Sequence, residues 1–267
     1  AAPEGHTWDY DTYLTANECY YNGQLSNNTR STIGAEWLYD IAEKENGLRH
    51  KMAFFWHNHF VTEYTDYQNN HFLYRYKRLL AEHALGNFKD FCRAIITNEA
   101  MLFYLNGQVN AVSNPGDIPN ENFAREFYEL FTLGPGNYTD DDTAGPINDI
   151  SETARALSGW AVKRHTFSNG GWTHNWWESP AFFPDRHDDG TKLVFGQTCP
   201  AGQGDQDIDW VIDNLFAQKS NEIAEFICTK IYQGLVHPTE IDTDIVASLI
   251  TVFLDPAHLF EIAPVVR

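Results

Sequence analysis

The chain has 267 residues, enough for one large domain with a core of its own. Its 37 Asp and Glu against 18 Lys and Arg give a formal net charge of -19, a surface that repels nucleic acid and anionic lipid and attracts divalent cations. No apolar run approaches the roughly 18 residues of a membrane-spanning helix, so no transmembrane segment is expected. No secretory signal opens the sequence; the abrupt start at Ala1 and the helix-like pattern over 261–267 are read as a fragment or processed form, truncated at both ends.

Residues 1–33 are polar, without sustained period, and are expected to form an irregular N-terminal segment; residues 34–267 are read as a single, mainly α domain. Helices are expected from Ala35 to about Asn46, then through Met52, Phe55, Trp56, His59 and Phe60, then from about Gln68 to Ala84 and from about Asn87 to Thr97. After a short turn near Met101 and a loop from Asn106 to Pro119 comes the most informative helix, Glu121 to Leu133, with Gly134 as its C-terminal cap. Asp149 and Glu152 suggest a reciprocal N-cap for a helix running to about Ala161. Residues 163–205 read as one long aromatic-rich loop with at most short strands. Three further helices are expected at about 206–217, 220–234 and 240–254.

On the central helix, Phe123, Phe127, Leu130 and Phe131 make an apolar stripe, and Asn122, Glu126 and Glu129 a polar one beside it. A carboxylate at the margin of a buried face costs several kcal/mol unless a cation, hydrogen bonds or a metal answers it. His59 lies in the apolar stripe of its own helix, whereas His57, two residues back, points about 200° away. Glu126 and Glu129 therefore suit general acid–base work, a metal cage built from helix faces, or an ion-pair network with Arg125 or Arg155. Leaving one face together, they do not suit the opposed carboxylates of a glycosidase. His187 and Asp188 could reach the same place from the long loop. Trp172, Trp176 and Trp177 offer flat faces for a sugar ring or pack the loop down. Asp140 to Asp142 read as a charged turn. Cys19, Cys92, Cys199 and Cys228 match no zinc pattern; Cys92 and Cys228 are expected to be buried thiols, with any of three disulfide pairings open if the protein is exported.

Several segments together resemble the bacterial family called domain of unknown function 1800: Phe55-Trp-His-Asn-His-Phe60, Glu82-His-Ala-Leu-Gly-Asn-Phe88, Pro119-Asn-Glu-Asn-Phe-Ala-Arg-Glu126, Glu129-Leu-Phe-Thr-Leu-Gly134, Ala154-Arg-Ala-Leu-Ser-Gly-Trp160, and His187-Asp188 with Lys192. The resemblance implies a mainly helical, exported protein, periplasmic or extracellular. It puts the family's polar signature on His57, His59, Asn120, Glu121, Asn122, Arg125, Glu126, Glu129, His187 and Asp188. Many relatives carry histidine where this chain has Phe131.

These readings give one expectation: a pocket in which His59, Glu126, Glu129, His187 and Asp188 hold a divalent metal ion. His57, Glu126 and Glu129 would do acid–base work in metal-dependent hydrolysis, and Asn120, Glu121, Asn122, Arg125, Trp172 and Trp176 would bind. The alternative is a non-catalytic extracellular scaffold or carbohydrate-binding module with the same residues as an ion-pair network. Its partners would be carbohydrate, another extracellular polymer or other protein subunits.

Overall fold

In the computed structural model, the described residues are 33–35, 37–39, 41–42, 47–112, 117–140, 144–169 and 172–267, with 164–169 and 172–178 described by backbone alone. The expected segment 1–33 lies outside them except for Ile33, as does Cys19. The fold is mainly α. Helix α1 spans Gly47–His59, α2 Tyr64–Tyr67, α3 Asn70–His83, α4 Phe88–Ile96 and α5 Glu99–Tyr104. Asn69, Asn87 and Asn98 each accept backbone N–H bonds as N-caps, which fixes where α3, α4 and α5 begin. Among the described residues, no helix is long and apolar enough to cross a membrane.

The core is aromatic. Trp56 is fully buried among Phe60, Phe88 and Phe91, and its indole N–H donates to the Ala84 carbonyl at 3.0 Å. Removing a ring of this kind costs about 3–5 kcal/mol, so α1 is anchored by one face and can present its remaining residues at fixed positions.

The central helix departs from the expected period. It begins as α6, Asn122–Glu126, and continues as a π turn over Phe127–Thr132. Leu133 N–H bonds the Tyr128 carbonyl at 2.8 Å, an i→i+5 closure that adds a residue to the turn. That extra residue rotates the rest of the helix about its axis. Phe123, Phe127 and Phe131 are buried as expected, but Leu130 is 47% exposed and Tyr128 takes the inward place, its hydroxyl 2.5 Å from Thr153 Oγ1. Gly134 then closes the helix at φ 74°.

Helix α7, Asp149–Ala156, is capped by Asn148 and Ser151 reciprocally, not by Asp149 and Glu152. It stops short of Ala161 because Gly159, at φ 87°, turns the chain into a strand. The segment expected to be a long loop contains more regular structure. Strands β1, Trp160–Asn169, and β2, Trp172–Phe182, form a long antiparallel hairpin, and β3, Lys192–Val194, pairs with β4, Gln197–Cys199. Alternation of large aromatic and polar residues across 160–182 is a strand signal that the glycines and prolines obscured. Helices α8, Asp207–Gln218, α9, Ser220–Leu235, and α10, Thr243–Phe253, come next, close to expectation, and the chain's last described helix, α11, is Ile262–Val265.

Candidate active-site cleft

Three helices meet around a cavity of about 520 Å³: α1 supplies Asn58 and His59, α6 supplies Asn122 and Glu126, and α9 supplies Lys230. A second cavity of about 580 Å³ shares Asn58, His59 and Lys230 and continues past Lys51, Phe54 and Gln233.

His59 sits where the two cavities meet, 6% exposed. Its Nε2 lies 2.9 Å from the Phe131 carbonyl, one of the last-turn carbonyls of a helix that lack an intrahelical partner. A carbonyl can only accept, so Nε2 carries the hydrogen and Nδ1 carries a lone pair. That Nδ1 is buried and has no hydrogen-bond partner among the described residues. Burial, with the nearby charge of Lys230, pushes the imidazole pKa down to about 3, against a smaller raising effect of the Phe131 bond. His59 is therefore neutral across ordinary pH.

Glu126 is half-buried on the cleft wall, and among the described residues its carboxylate has no hydrogen bond or ion pair. Burial and then the charge of Glu129 raise its pKa, with Arg125 opposing. The carboxylates on either side are both engaged. Glu129 accepts from the Tyr138 hydroxyl at 3.0 Å, and Glu121 pairs with Arg125 at 3.3 Å. Arg125 also faces Asp140 at 3.5 Å. Asn122 donates to the Leu105 carbonyl at 3.1 Å, and Asn120 accepts from Asn122 N–H while its own N–H bonds Asn110. These bonds hold the start of α6 against the loop before it.

His57 faces away from this cleft, as the helical geometry of the sequence suggests. Its Nδ1 is 3.2 Å from the Tyr76 hydroxyl, which itself donates to the Phe60 carbonyl, and its ring packs on Trp37. A catalytic role beside Glu126 does not fit that placement. Glu129 does not line either cavity, so its proposed catalytic role is not supported by position.

His187 and Asp188 belong to a separate buried cluster. Gly159 lets their loop close on the end of α7: a Cβ there would meet the Phe183 carbonyl at 2.9 Å and His187 Cβ at 3.0 Å. His187 Nδ1 lies 2.9 Å from the Ser158 carbonyl and Nε2 3.1 Å from Asp207 Oδ2, so both ring nitrogens are taken. Lys192, 1% exposed, reaches the same Asp207 oxygen at 2.5 Å and donates to the Asp188 and Gly190 carbonyls. The Cys199 thiol donates to the other Asp207 oxygen at 3.3 Å. Although burial works against it, hydrogen bonds from His187 and Lys192 hold the Asp207 carboxyl below its usual range. Asp188 is gripped by Arg155 through both oxygens, at 2.8 and 3.0 Å, which lowers its pKa, and Arg155 also bonds Glu152.

The expected five-residue metal cage is thus not assembled: no hydrogen bond or ion pair links His59 or Glu126 to His187 or Asp188, whose donor atoms are already engaged. Among the described residues, no three of His, Cys, Asp and Glu come together as a metal ion would require. Cys92, Cys199 and Cys228 are buried free thiols. The side chains of Trp172 and Trp176 lie outside the described residues; their backbone is in β2, paired with Asn169 and His165.

Sequence reasoning missed Lys230 and Asp207. Lys230 had a usable signal, standing seven residues after Ile223 and three after Ile227 at the margin of an apolar stripe. Asp207 had none, because its partners come from segments 8 to 20 residues away in sequence.

No curated protein and no solved structure matches the chain. A family model described as protein of unknown function (DUF1800) matches residues 6–267. The chain, from its His-Asn-His helix to the end of its helical core, belongs to that family.

Proposed function

We propose that the cleft between α1, α6 and α9 is the working site of a hydrolase in which Glu126 moves the proton. The observation that carries this reading is the isolation of Glu126: its neighbours Glu121 and Glu129 have partners, and it has none among the described residues. A carboxylate with a raised pKa, open to a cavity, is suited to proton transfer. In the proposed step, the Glu126 carboxylate takes a proton from a water as the water oxygen bonds the electrophilic carbon. The proton then passes to the leaving oxygen or nitrogen as its bond to that carbon breaks. His59, with a pKa near 3, is a weak base; its Nδ1 serves as a hydrogen-bond acceptor that orients substrate or water.

A metal-dependent version would draw on His59 Nδ1 and Glu126, with the amide oxygens of Asn58 and Asn122 on the same cleft, and the Lys230 charge beside His59 works against a cation there. The scaffold reading is supported by the His187 and Asp188 cluster, whose bonds are those of an internal brace. Export is part of the proposal, supported by the family resemblance; cell fractionation tests it.

The test is turnover of a panel of ester, amide and glycoside substrates by the whole chain and by Glu126→Gln. At least one class should be hydrolysed, and the substitution should slow it by about 100-fold or more with folding intact. Equal rates in both proteins, or no turnover of any class, would overturn the reading.

A further inference from the structure

We infer that the two adjoining cavities form one groove that binds a carboxylate-bearing saccharide, with Lys230 and Lys51 holding its negative charge. This deepens the reading above: it rests on the cleft being the binding site, though not on the proton transfer assigned to Glu126.

The first ground is charge. Arg75, Arg78, Lys89, Arg93, Arg125, Arg155, Lys192 and Lys219 all pair with carboxylates. In a chain with 37 acidic residues, Lys230 and Lys51 do not, among the described residues, and both line this groove. Lys230 is also half-buried, its ammonium 4.8 Å from the Phe226 ring centroid. A cation in that position gains from an anion that the described carboxylates do not supply.

The second ground is independent. His59 is buried, and its Nδ1 accepts from nothing among the described residues, so a ligand hydroxyl is the group it lacks. Asn58 and Gln233 add amides, which both donate and accept, while Phe54, 44% exposed, and Phe55 add flat apolar faces. An ammonium, an imidazole acceptor, amides and an aromatic face together describe a sugar ring carrying a carboxylate. A phosphate fits less well. It is favoured by arginine forks or a helix N-terminus, whereas Lys230 stands in the C-terminal half of α9, at the negative end of the helix dipole. Glu126 lines only the first cavity, of about 520 Å³, and Lys51 only the second.

Calorimetric titration of the whole chain with trigalacturonate, maltotriose and inorganic phosphate at low salt tests the assignment. Trigalacturonate should bind at least about tenfold more tightly than maltotriose, Lys230→Met should weaken it about tenfold, and the exposed-site variant Lys51→Met should weaken it less. Glu126→Gln should bind no more weakly than the parent chain. Absence of trigalacturonate binding, equal affinity for maltotriose, phosphate binding as tightly as trigalacturonate, or indifference to both lysine substitutions would overturn the inference. Failure of the proton-transfer reading would look different: full turnover by Glu126→Gln with binding intact.

Discussion

The molecule contains two buried polar clusters that differ in whether their groups are answered from within. Around Asp207, every charged group has its partners: His187 and Lys192 on one oxygen, the Cys199 thiol on the other, with Arg155 forked onto Asp188 alongside. Around His59 the groups are left open among the described residues: an imidazole nitrogen without a donor, a carboxylate without a cation and an ammonium without an anion. The first arrangement locks β3, the end of α7 and the start of α8 together. The second keeps groups available at a cost in stability, which is how binding and catalytic sites differ from braces.

The sharpest way to break this comparison is to damage the brace. Asp207→Asn leaves the Lys192 ammonium buried without its counter-charge and should cost about 3–5 kcal/mol by denaturant unfolding. A double variant, Lys192→Met with Asp207→Leu, should recover much of that loss. An Asp207→Asn protein as stable as the parent would mean the cluster is not a brace.

Next in size is a pH effect centred on His59. The unfolded imidazole binds a proton below about 6.5, while the folded one resists until about 3. The stability this lends is fully present above 6.5 and is lost as pH falls toward 3, a contribution of about 5 kcal/mol over that window. Unfolding curves measured from pH 7 to pH 4 should show this slope, and His59→Gln, though less stable at pH 7, should flatten it. A slope unchanged by the substitution would place His59 in a more solvated setting.

A smaller effect is expected from metal removal. Since the residues that were to form a cage are divided between two clusters, chelator should leave the melting temperature unchanged. A drop of several degrees on chelation would show that a metal is held after all.

Much of this architecture was legible in the chain itself. Met52, Phe55, Trp56, His59 and Phe60 read as one inward face, and all are buried but Phe55, which is partly buried and lines the groove; Gly134 ends the central helix as a glycine cap should. Glu126 stood out because a carboxylate beside an apolar stripe needs an answer. What could not be read was the π turn, whose extra residue exchanges Tyr128 for Leu130 on the buried face. Nor could the pairing of His187 with Asp207 be seen, since it depends on how a hairpin and a loop close over α7. Period-based reasoning finds which residues are under constraint on one helix; it does not find which distant segment relieves them.

Thermal melting of Glu126→Gln at neutral pH tests the central claim most directly. With its folded pKa raised, Glu126 favours the fold only while protonated and opposes it once ionised at higher pH. The substitution should therefore leave the melting temperature equal to or slightly above that of the parent chain. A fall of several degrees would contradict the account, because it would show that the carboxylate is holding the protein together.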